Sequence, residues 1–396
     1  MALTGQFLSL VAAVLAVPSI VFFIEVMASV VLSGNKRDAM TTGERKGVIA
    51  VLVPAHNEEK GLEPTLTNIK EQLRPGDQLV VVADNCSDET ASVAANAGAM
   101  VTVRNNLSRI GKGYALDWGL TFLAVAPPDI VVVIDADCQI AAGSLDRLAA
   151  LSEQQHRPVQ GLYLMSAPNG SAINHQVATF AWRLKNWMRP LGLKALGLPC
   201  QLMGTGMAFP WSLIRSTNLS SSEIVEDLKL GLDLARAGCA PIFCPSAIVT
   251  SNFPQTIEGS KAQRQRWEQG HVSLILTKAV PLLVLAIRQR NPSLFALVLD
   301  LLVPPLSLLI LLLTAAALAS ALAVCFGASP IPLLLNLSGL CVIALGIIFA
   351  WSRHAQDILP PAQLGLIPRY IFAKLWLYLA TLFGRKISSW VRADRN

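Results

Sequence analysis

The sequence predicts an α/β domain with a mostly parallel sheet, flanked by transmembrane helices. Three observations carry this. β-branched runs alternate with helical patterns between about residues 47 and 270. Long apolar runs lie at the two ends of the chain. Acidic clusters follow the β-branched runs, at the strand ends where ligands gather on parallel sheets. Hydrophobic residues make up 53% of the 396 residues and charged residues 15%, against about 25% charged in a soluble domain, and the deficit lies in the terminal runs.

The first element, Phe7 to Leu32, is apolar apart from Glu25 and a few small polar residues. It is long enough to span a bilayer. Lys36 and Arg37 follow it, and residues 1–6 carry no side-chain charge. A signal peptide has the opposite order, so residues 1–35 are expected to form an uncleaved span with its N-terminus outside. Residues 36–270 then form a cytoplasmic domain. Gly47–Val53 is a buried strand and Glu58–Gln72 a helix. Gln78–Ala83 is a second strand, and Asp88–Gly98 a second helix with Ser87 as N-cap and Gly98 past its end. Met100–Val103, the helical Tyr114–Ala124 and the strand Ile130–Ile134 complete the alternation.

Beyond Gly270 the chain turns apolar again. Val272–Ile287 is interrupted by Lys278 and Pro281, so residues 271–290 read as an interfacial helix. Residues 291–353 hold two spans, the first broken at Pro304-Pro305. Arg288 and Arg290 before them and Arg353 after them place the intervening loop outside. Residues 354–396 read as an interfacial helix and a basic cytoplasmic tail. The expected location is the inner or plasma membrane, with several passes and a lipid bilayer as partner.

The net charge of +6 is accounted for by Lys and Arg on the cytoplasmic side of spans. No basic stripe interleaved with aromatics points to nucleic acid. The seven cysteines lack CxxC or His-paired spacing and read as reduced, mostly packed thiols.

The chemistry sits in the acidic clusters. One strand ends in Pro54-Ala-His-Asn-Glu-Glu59, the next in Asp84-Asn-Cys-Ser-Asp-Glu-Thr90, and the fourth in Asp135-Ala-Asp137. Together they describe a nucleotide site with a divalent metal, because carboxylates are the natural ligands for Mg²⁺ or Mn²⁺. Asp137 is the first choice as ligand, with Asp135 nearer the nucleotide. Ser108-Arg-Ile-Gly-Lys-Gly113 supplies cations and glycines before a helix without P-loop spacing, and Lys112 suits a phosphate. Asp227, in Ser222-Glu-Ile-Val-Glu-Asp227, falls near a helix N-terminus, where a carboxylate is favoured; capping alone could explain one acid. In Gln263-Arg-Gln-Arg-Trp267, Arg can reach a diphosphate and Trp offers a flat face to a sugar ring; a basic membrane-proximal helix is the plainer alternative.

In order, Pro54 to Glu58, Asp84, Asp135-Ala-Asp137, Glu226-Asp227 and Gln263-x-x-Arg266-Trp267 resemble the family 2 glycosyltransferases. The likeness is to the membrane-integrated branch with cellulose, chitin and hyaluronan synthases, and it extends over roughly 48–270. The resemblance implies a GT-A fold, a UDP-sugar donor and an inverting hexosyl transfer that forms β-linkages. It makes Asp227 the general base. It makes Pro54, Ala55, Asn57, Glu58, Asp84, Lys112, Asp135 and Arg266 donor contacts, and Asp137 with Asp135 the metal ligands. It puts Gly204, Thr205, Gly206, Glu226, Gln263 and Trp267 on the acceptor side. Val225 stands where that branch often has Thr, and the C-terminal membrane region is shorter than in large cellulose synthases. The implied product is a cell-surface or exported polysaccharide. The nearest alternative is addition of a single sugar to a polyprenyl-linked acceptor. A transporter, or a non-catalytic sugar-nucleotide-binding protein, fits the long α/β domain and the Asp227 and Gln263–Trp267 motifs less well.

Overall fold

A computed structural model describes residues 2–32, 44–166, 173–220, 223, 225–254, 257–368 and 371–372. The chain divides into a sheet unit, with described residues 44–166 and 198–270, and a helical unit, with described residues 2–32, 173–197 and 271–372. Of residues 354–396, read as an interfacial helix at Tyr370–Phe383 and a basic tail, only 354–368 and 371–372 lie among the described residues, so most of the helix and all of the tail fall outside them.

In chain order the elements are α1 (Ala2–Val31), β1 (Ile49–Ala55), α2 (Leu62–Lys70), β2 (Gln78–Asp84), α3 (Thr90–Asn96), β3 (Met100–Arg104), α4 (Lys112–Leu123), β4 (Ile130–Val133), β5 (Gln139–Ile140), α5 (Ser144–Gln155), β6 (Val159–Ser166), α6 (Ile173–Arg183), α7 (Arg189–Ala195), β7 (Met207–Pro210), α8 (Trp211–Arg215), α9 (Glu226–Arg236), β8 (Ile242–Asn252), α10 (Ile257–Leu274), α11 (Val280–Arg288), α12 (Pro292–Leu301), α13 (Leu306–Cys325) and α14 (Ile331–His354). Single π-turns join α6 to α7 and α10 to α11.

The sheet unit holds one eight-stranded sheet in the order β3-β2-β1-β4-β7-β6-β8-β5. β1, β2, β3 and β4 pair in parallel, as do β6 and β8; β7 runs antiparallel to β4 and β6, and β5 to β8. The central strands are apolar throughout because helices cover both faces. Leu52, Val80, Val82, Val131 and Val133 pack with Leu116, Leu120, Phe209 and Leu234 in one core. The sequence reading anticipated the parallel half and its helices. It did not pick out β5 to β8, which make the sheet mixed.

Two local expectations are corrected. α2 starts at Leu62 rather than Glu58, because the Glu58 and Glu59 N–H groups donate to Thr90 Oγ1 (2.7 Å) and Asp88 Oδ2 (3.2 Å) in the neighbouring loop. Ser87 does not cap α3. Its N–H donates to Asn57 Oδ1 (2.7 Å), and Asp88 Oδ1 accepts from Thr90 N (3.1 Å) instead. Gly98 ends that helix in the left-handed region, φ 80°, as expected.

Among the described residues, four helical runs are long and apolar enough to cross a membrane by length and composition: Thr4–Val31, Gln263–Arg288, Leu306–Cys325 and Ile331–His354. The first, third and fourth coincide with the expected spans. The break at Pro304-Pro305 separates α12 from α13, since proline has no N–H to continue a helix. The second run contains the segment read as interfacial and begins in the sheet unit. Phe22, Val26, Leu309, Leu313 and Ile343 pack in the core of the helical unit.

Candidate active site

The site is built where β1, β2 and β4 end. β1 ends in Pro54 and Ala55, and the chain turns at Asn57, whose φ of 55° lies in the left-handed region that Asn tolerates. The Asn57 side chain and the Glu58 N–H are tied to residues 87–90, as above, so the loops after β1 and β2 form one surface. His56 Nδ1 adds a contact to the Asp84 carbonyl (2.7 Å).

Asp84 is buried, and its Oδ1 accepts from Arg104 Nη1 (2.5 Å) and Asn85 Nδ2 (3.1 Å). Arg104 also donates to the Arg109 carbonyl (2.7 Å) and lies over the Tyr114 ring at 5.5 Å. The sequence reading missed Arg104. Its signal is a basic residue at the end of β3 opposite Asp84 at the end of β2, which requires the strand register.

The second half of the site centres on Lys112, the first residue of α4. Its ammonium pairs with Asp135 Oδ1 and donates to the Gly204 carbonyl (2.8 Å). Burial alone would lower the Lys112 pKa. The carboxylates of Asp135, Glu226 and Asp227 outweigh it and hold the ammonium above its usual range. Gly204 adopts φ 89°, and a Cβ there would lie 3.4 Å from Asp227 Oδ2 and 3.5 Å from Lys112 Nζ. The base candidate and the cation thus converge on the same backbone point. Asp227 Oδ1 also accepts from Leu228 N (2.9 Å) at the start of α9. Beside it, the Glu226 carboxyl is pushed up to about 8 by burial and then by the Asp227 carboxylate, with Lys112 pulling the other way.

Thr205 is not placed as expected. Read from sequence as an acceptor contact, its side chain is fully buried. It accepts from Asp135 N (3.1 Å) and donates to Cys138 Sγ (3.6 Å), so it supports the Asp-x-Asp turn from beneath. Gln160, which sequence reasoning also missed, is fully buried in β6. It accepts from Met203 N (2.7 Å) and donates to the Thr205 carbonyl (2.9 Å), gripping the loop on either side of Gly204. Gly206, φ 65°, completes the turn into β7.

Asp135, Asp137 and Cys138 offer ligand atoms within 4.8 Å of one another. Burial, and then the Asp135 charge, push the Cys138 thiol up to about 12, so it stays protonated. The donor set is therefore two carboxylates, which fits a hard divalent cation. Gln263, Arg266 and Trp267 lie on α10 at i, i+3 and i+4 and share one helix face. Gln263 is buried, and Arg266 and Trp267 are half-buried.

The model of the glycosyltransferase-like family 2 matches residues 46–270, more than half of the chain. An uncharacterized glycosyltransferase of Mycobacterium tuberculosis is 39% identical over 122 residues, 29% of this chain and 51% of that protein. The poly-β-1,6-N-acetyl-D-glucosamine synthase of Staphylococcus aureus is 24% identical over 271 residues, 64% of each chain. The chain thus spans about half to two thirds of the length of these relatives. Among solved structures, a Pyrobaculum calidifontis mannosyltransferase in complex with GDP-Man and Mn²⁺ has a TM-score of 0.54 at 20% identity. That match covers 88% of this chain and 99% of that one, and it shows the shared GT-A fold. With the sheet, its strand-end carboxylates and the family match in agreement, the chain belongs to glycosyltransferase family 2.

Proposed function

We propose that the protein is an inverting transferase that moves a hexosyl group from a UDP-sugar to a growing glycan, forming β-linkages in a cell-surface or exported polysaccharide. The observation that carries the reading is the convergence of Asp227 and Lys112 on Gly204, beside Asp135. Asp227 stands opposite the Lys112 cation at this point, as a base facing the group that would meet the leaving diphosphate, which supports a single displacement.

Asp227 takes the proton of the acceptor hydroxyl as its oxygen attacks the anomeric carbon. The bond to the diphosphate breaks, and its electron pair leaves with UDP. Lys112 and Arg266 offset the negative charge of the leaving group. Asp137 and Asp135 would hold Mg²⁺ or Mn²⁺, which would supply further charge compensation for the diphosphate. Pro54, Ala55, Asn57 and Glu58 line the donor side with Asp84. Arg104 and Asn85 hold the Asp84 carboxylate in place through Oδ1. Gly204, Gly206, Glu226, Gln263 and Trp267 face the acceptor.

The sheet unit is assigned to the cytoplasmic side, with the N-terminus outside and the C-terminus inside. The run Gln263–Arg288 has span length, but Arg264, Arg266, Glu268, His271 and Lys278 along it support an interfacial placement. Terminal reporter fusions test this. An externally active C-terminal reporter overturns it.

The central test is turnover with a panel of UDP-sugars, with the anomeric configuration of donor and product read by NMR. An α-donor giving a β-product is expected, with loss of turnover in excess EDTA. Retention of configuration, full activity without metal, or preference for GDP- or CMP-sugars each overturns its part. The four span-length helical runs also suit an acceptor on a polyprenyl carrier. Product mass separates that single addition from chain extension.

A further inference from the structure

The two edges of the sheet differ. One edge is β5, a strand of two residues, and the other is β3, with five. Asn85 N donates to the Arg104 carbonyl (2.7 Å) across the parallel β2–β3 register. Peptide groups alternate sides along such a strand, so Thr102 and Arg104 bond to β2 while the N–H and C=O groups of Val101 and Val103 point outward. Among the described residues no strand pairs with that outer side. Natural edges are usually blunted by shortness, proline or exposed charge. β5 is short. β3 has none of these protections: it reads Met-Val-Thr-Val-Arg, and its one charge, Arg104, is buried against Asp84.

The surface beside this edge is apolar. Trp118 on α4 donates from Nε1 to Thr102 Oγ1 (2.9 Å), which lays α4 along β3. Trp118 and Phe122 lie at i and i+4 on one face of α4, with Val125 just past its end, and all three are exposed. Val103 is exposed too, as are Leu107 and Ile110 in the loop after β3. Apart from Met100 at the start of β3 and Val48, these are the exposed large apolar residues described in the sheet unit. Their exposed fractions leave on the order of 600 Å² of surface open to water. That is the upper end for the largest apolar patch of a monomer, about 300–600 Å². It approaches the roughly 800 Å² that each partner gives to a standard interface.

We propose that the β3 edge is the surface through which two copies of this chain pair, β3 against β3 in antiparallel register about a two-fold axis at Thr102. Val101 of each copy then stands opposite Val103 of the other, and each such pair exchanges both its hydrogen bonds. The axis runs perpendicular to the sheet, so the two α4 helices lie on the same face and their apolar stripes meet. α4 runs back against β3. Leu107 and Ile110 of one copy therefore approach Phe122 and Val125 of the other, and both ends of the contact are apolar. A bilayer is the poorer occupant. It offers no donors or acceptors to an open strand. Between residues 100 and 125 the one exposed basic side chain is Arg109, where an interfacial surface carries several.

The test is cysteine cross-linking of the full chain in native membranes, with the wild type as background control. At the axis the two Thr102 Cα atoms would stand about 4.5 Å apart, within disulfide reach, whereas the two Val101 positions would lie beyond the limit of about 7 Å. Thr102→Cys should therefore form a covalent dimer on oxidation with copper phenanthroline, and Val101→Cys should not. Adding Val103→Lys or Phe122→Glu to Thr102→Cys should lower the cross-linked fraction at least about tenfold, because an unpaired charge would have to leave water. Val48→Lys, on exposed surface outside the patch, should leave it unchanged. Melting temperatures near that of Thr102→Cys alone keep loss of pairing distinct from loss of fold. Absence of Thr102→Cys dimers, equal cross-linking at Val101→Cys, or dimers indifferent to both added charges overturns the proposal. So does a monomer whose bimane label at Leu107→Cys is quenched by nitroxide lipids, which would give the patch to the bilayer.

Discussion

The two ends of the same sheet carry charge clusters of opposite character. At the amino ends of β1 and β2, Arg45 pairs with Asp77 and Asp146, and Arg74 pairs with Asp146. Two guanidiniums meet two carboxylates, and Asp77 also accepts from Ile49 N (3.1 Å) and Arg74 N (2.7 Å). At the carboxyl ends, one ammonium, Lys112, faces the carboxyl groups of Asp135, Glu226 and Asp227. The first cluster is neutral and fully bonded, so it closes the fold. In the second, burial and the neighbouring Asp227 carboxylate hold the Glu226 carboxyl up to about 8, so it keeps its proton near neutrality. The first cluster pairs charges that stay fixed near neutrality; the second holds a carboxyl that titrates close to it.

The largest effect that tests this contrast is Asp227→Asn. Transfer should fall by about 10²- to 10⁴-fold, the usual contribution of a general base. UDP binding should stay near wild type, and losing a carboxylate from the first turn of α9 should cost about 1 kcal/mol of stability or less. A variant with wild-type transfer at saturating substrates removes Asp227 from the mechanism and reduces it to a favourable charge in the first turn of its helix.

Next comes Arg45→Ala at the opposite end. It leaves Asp77 buried without its guanidinium, and breaking a buried pair costs about 3–5 kcal/mol. Chemical unfolding should show the loss, while transfer per folded molecule is unchanged. A fall in kcat at constant folded fraction would erase the distinction between the two clusters.

The clusters should also respond to pH in opposite directions. Because Glu226 is held up at about 8, the folded protein keeps a proton that the unfolded chain releases near 4.5. Its contribution to stability therefore declines as pH rises from about 5 to 8, then levels off. Burial alone would raise the Asp146 pKa, but Arg45 and Arg74 hold it below its usual value. Its contribution is present above about pH 4 and is lost as pH falls through the lowered pKa. Melting temperatures from about pH 2 to 9 check both signs. Glu226→Gln should flatten the neutral-to-alkaline decline, and an unchanged slope in that variant contradicts the assignment.

The smallest effect is Arg74→Ala. The Arg74 and Asp146 side chains are 39% and 34% exposed, so their pair contributes under about 1 kcal/mol. A larger loss of stability would mean that the network is more strongly coupled than its exposure implies.

Much of the candidate site's placement at element ends was legible in the chain. Asp84, Asp135-Ala-Asp137 and Asp227 each stand next to a local pattern, a β-branched run or a helix start, that places them at an element's end. Thr205 was misread because Gly204-Thr-Gly206 looks like an open turn. Its hydroxyl is recruited by Asp135, far away in sequence, and only strand pairing brings the two together. Arg104 and Gln160 escaped notice for the same reason. Each acts on a partner across a neighbouring strand or on a loop outside its own segment.

The sequence by itself determined the α/β alternation of the parallel half, three long apolar helical runs and the order of the acidic motifs, because hydrophobic period and strand-end position are local properties. Tertiary structure decided which charges neutralise one another, which hydroxyl supports the Asp-x-Asp turn, and where residues 173–197 go. Those outcomes depend on register and on contacts between residues such as Glu25, Arg189 and Asp300, distant in sequence and close only once the helices have packed.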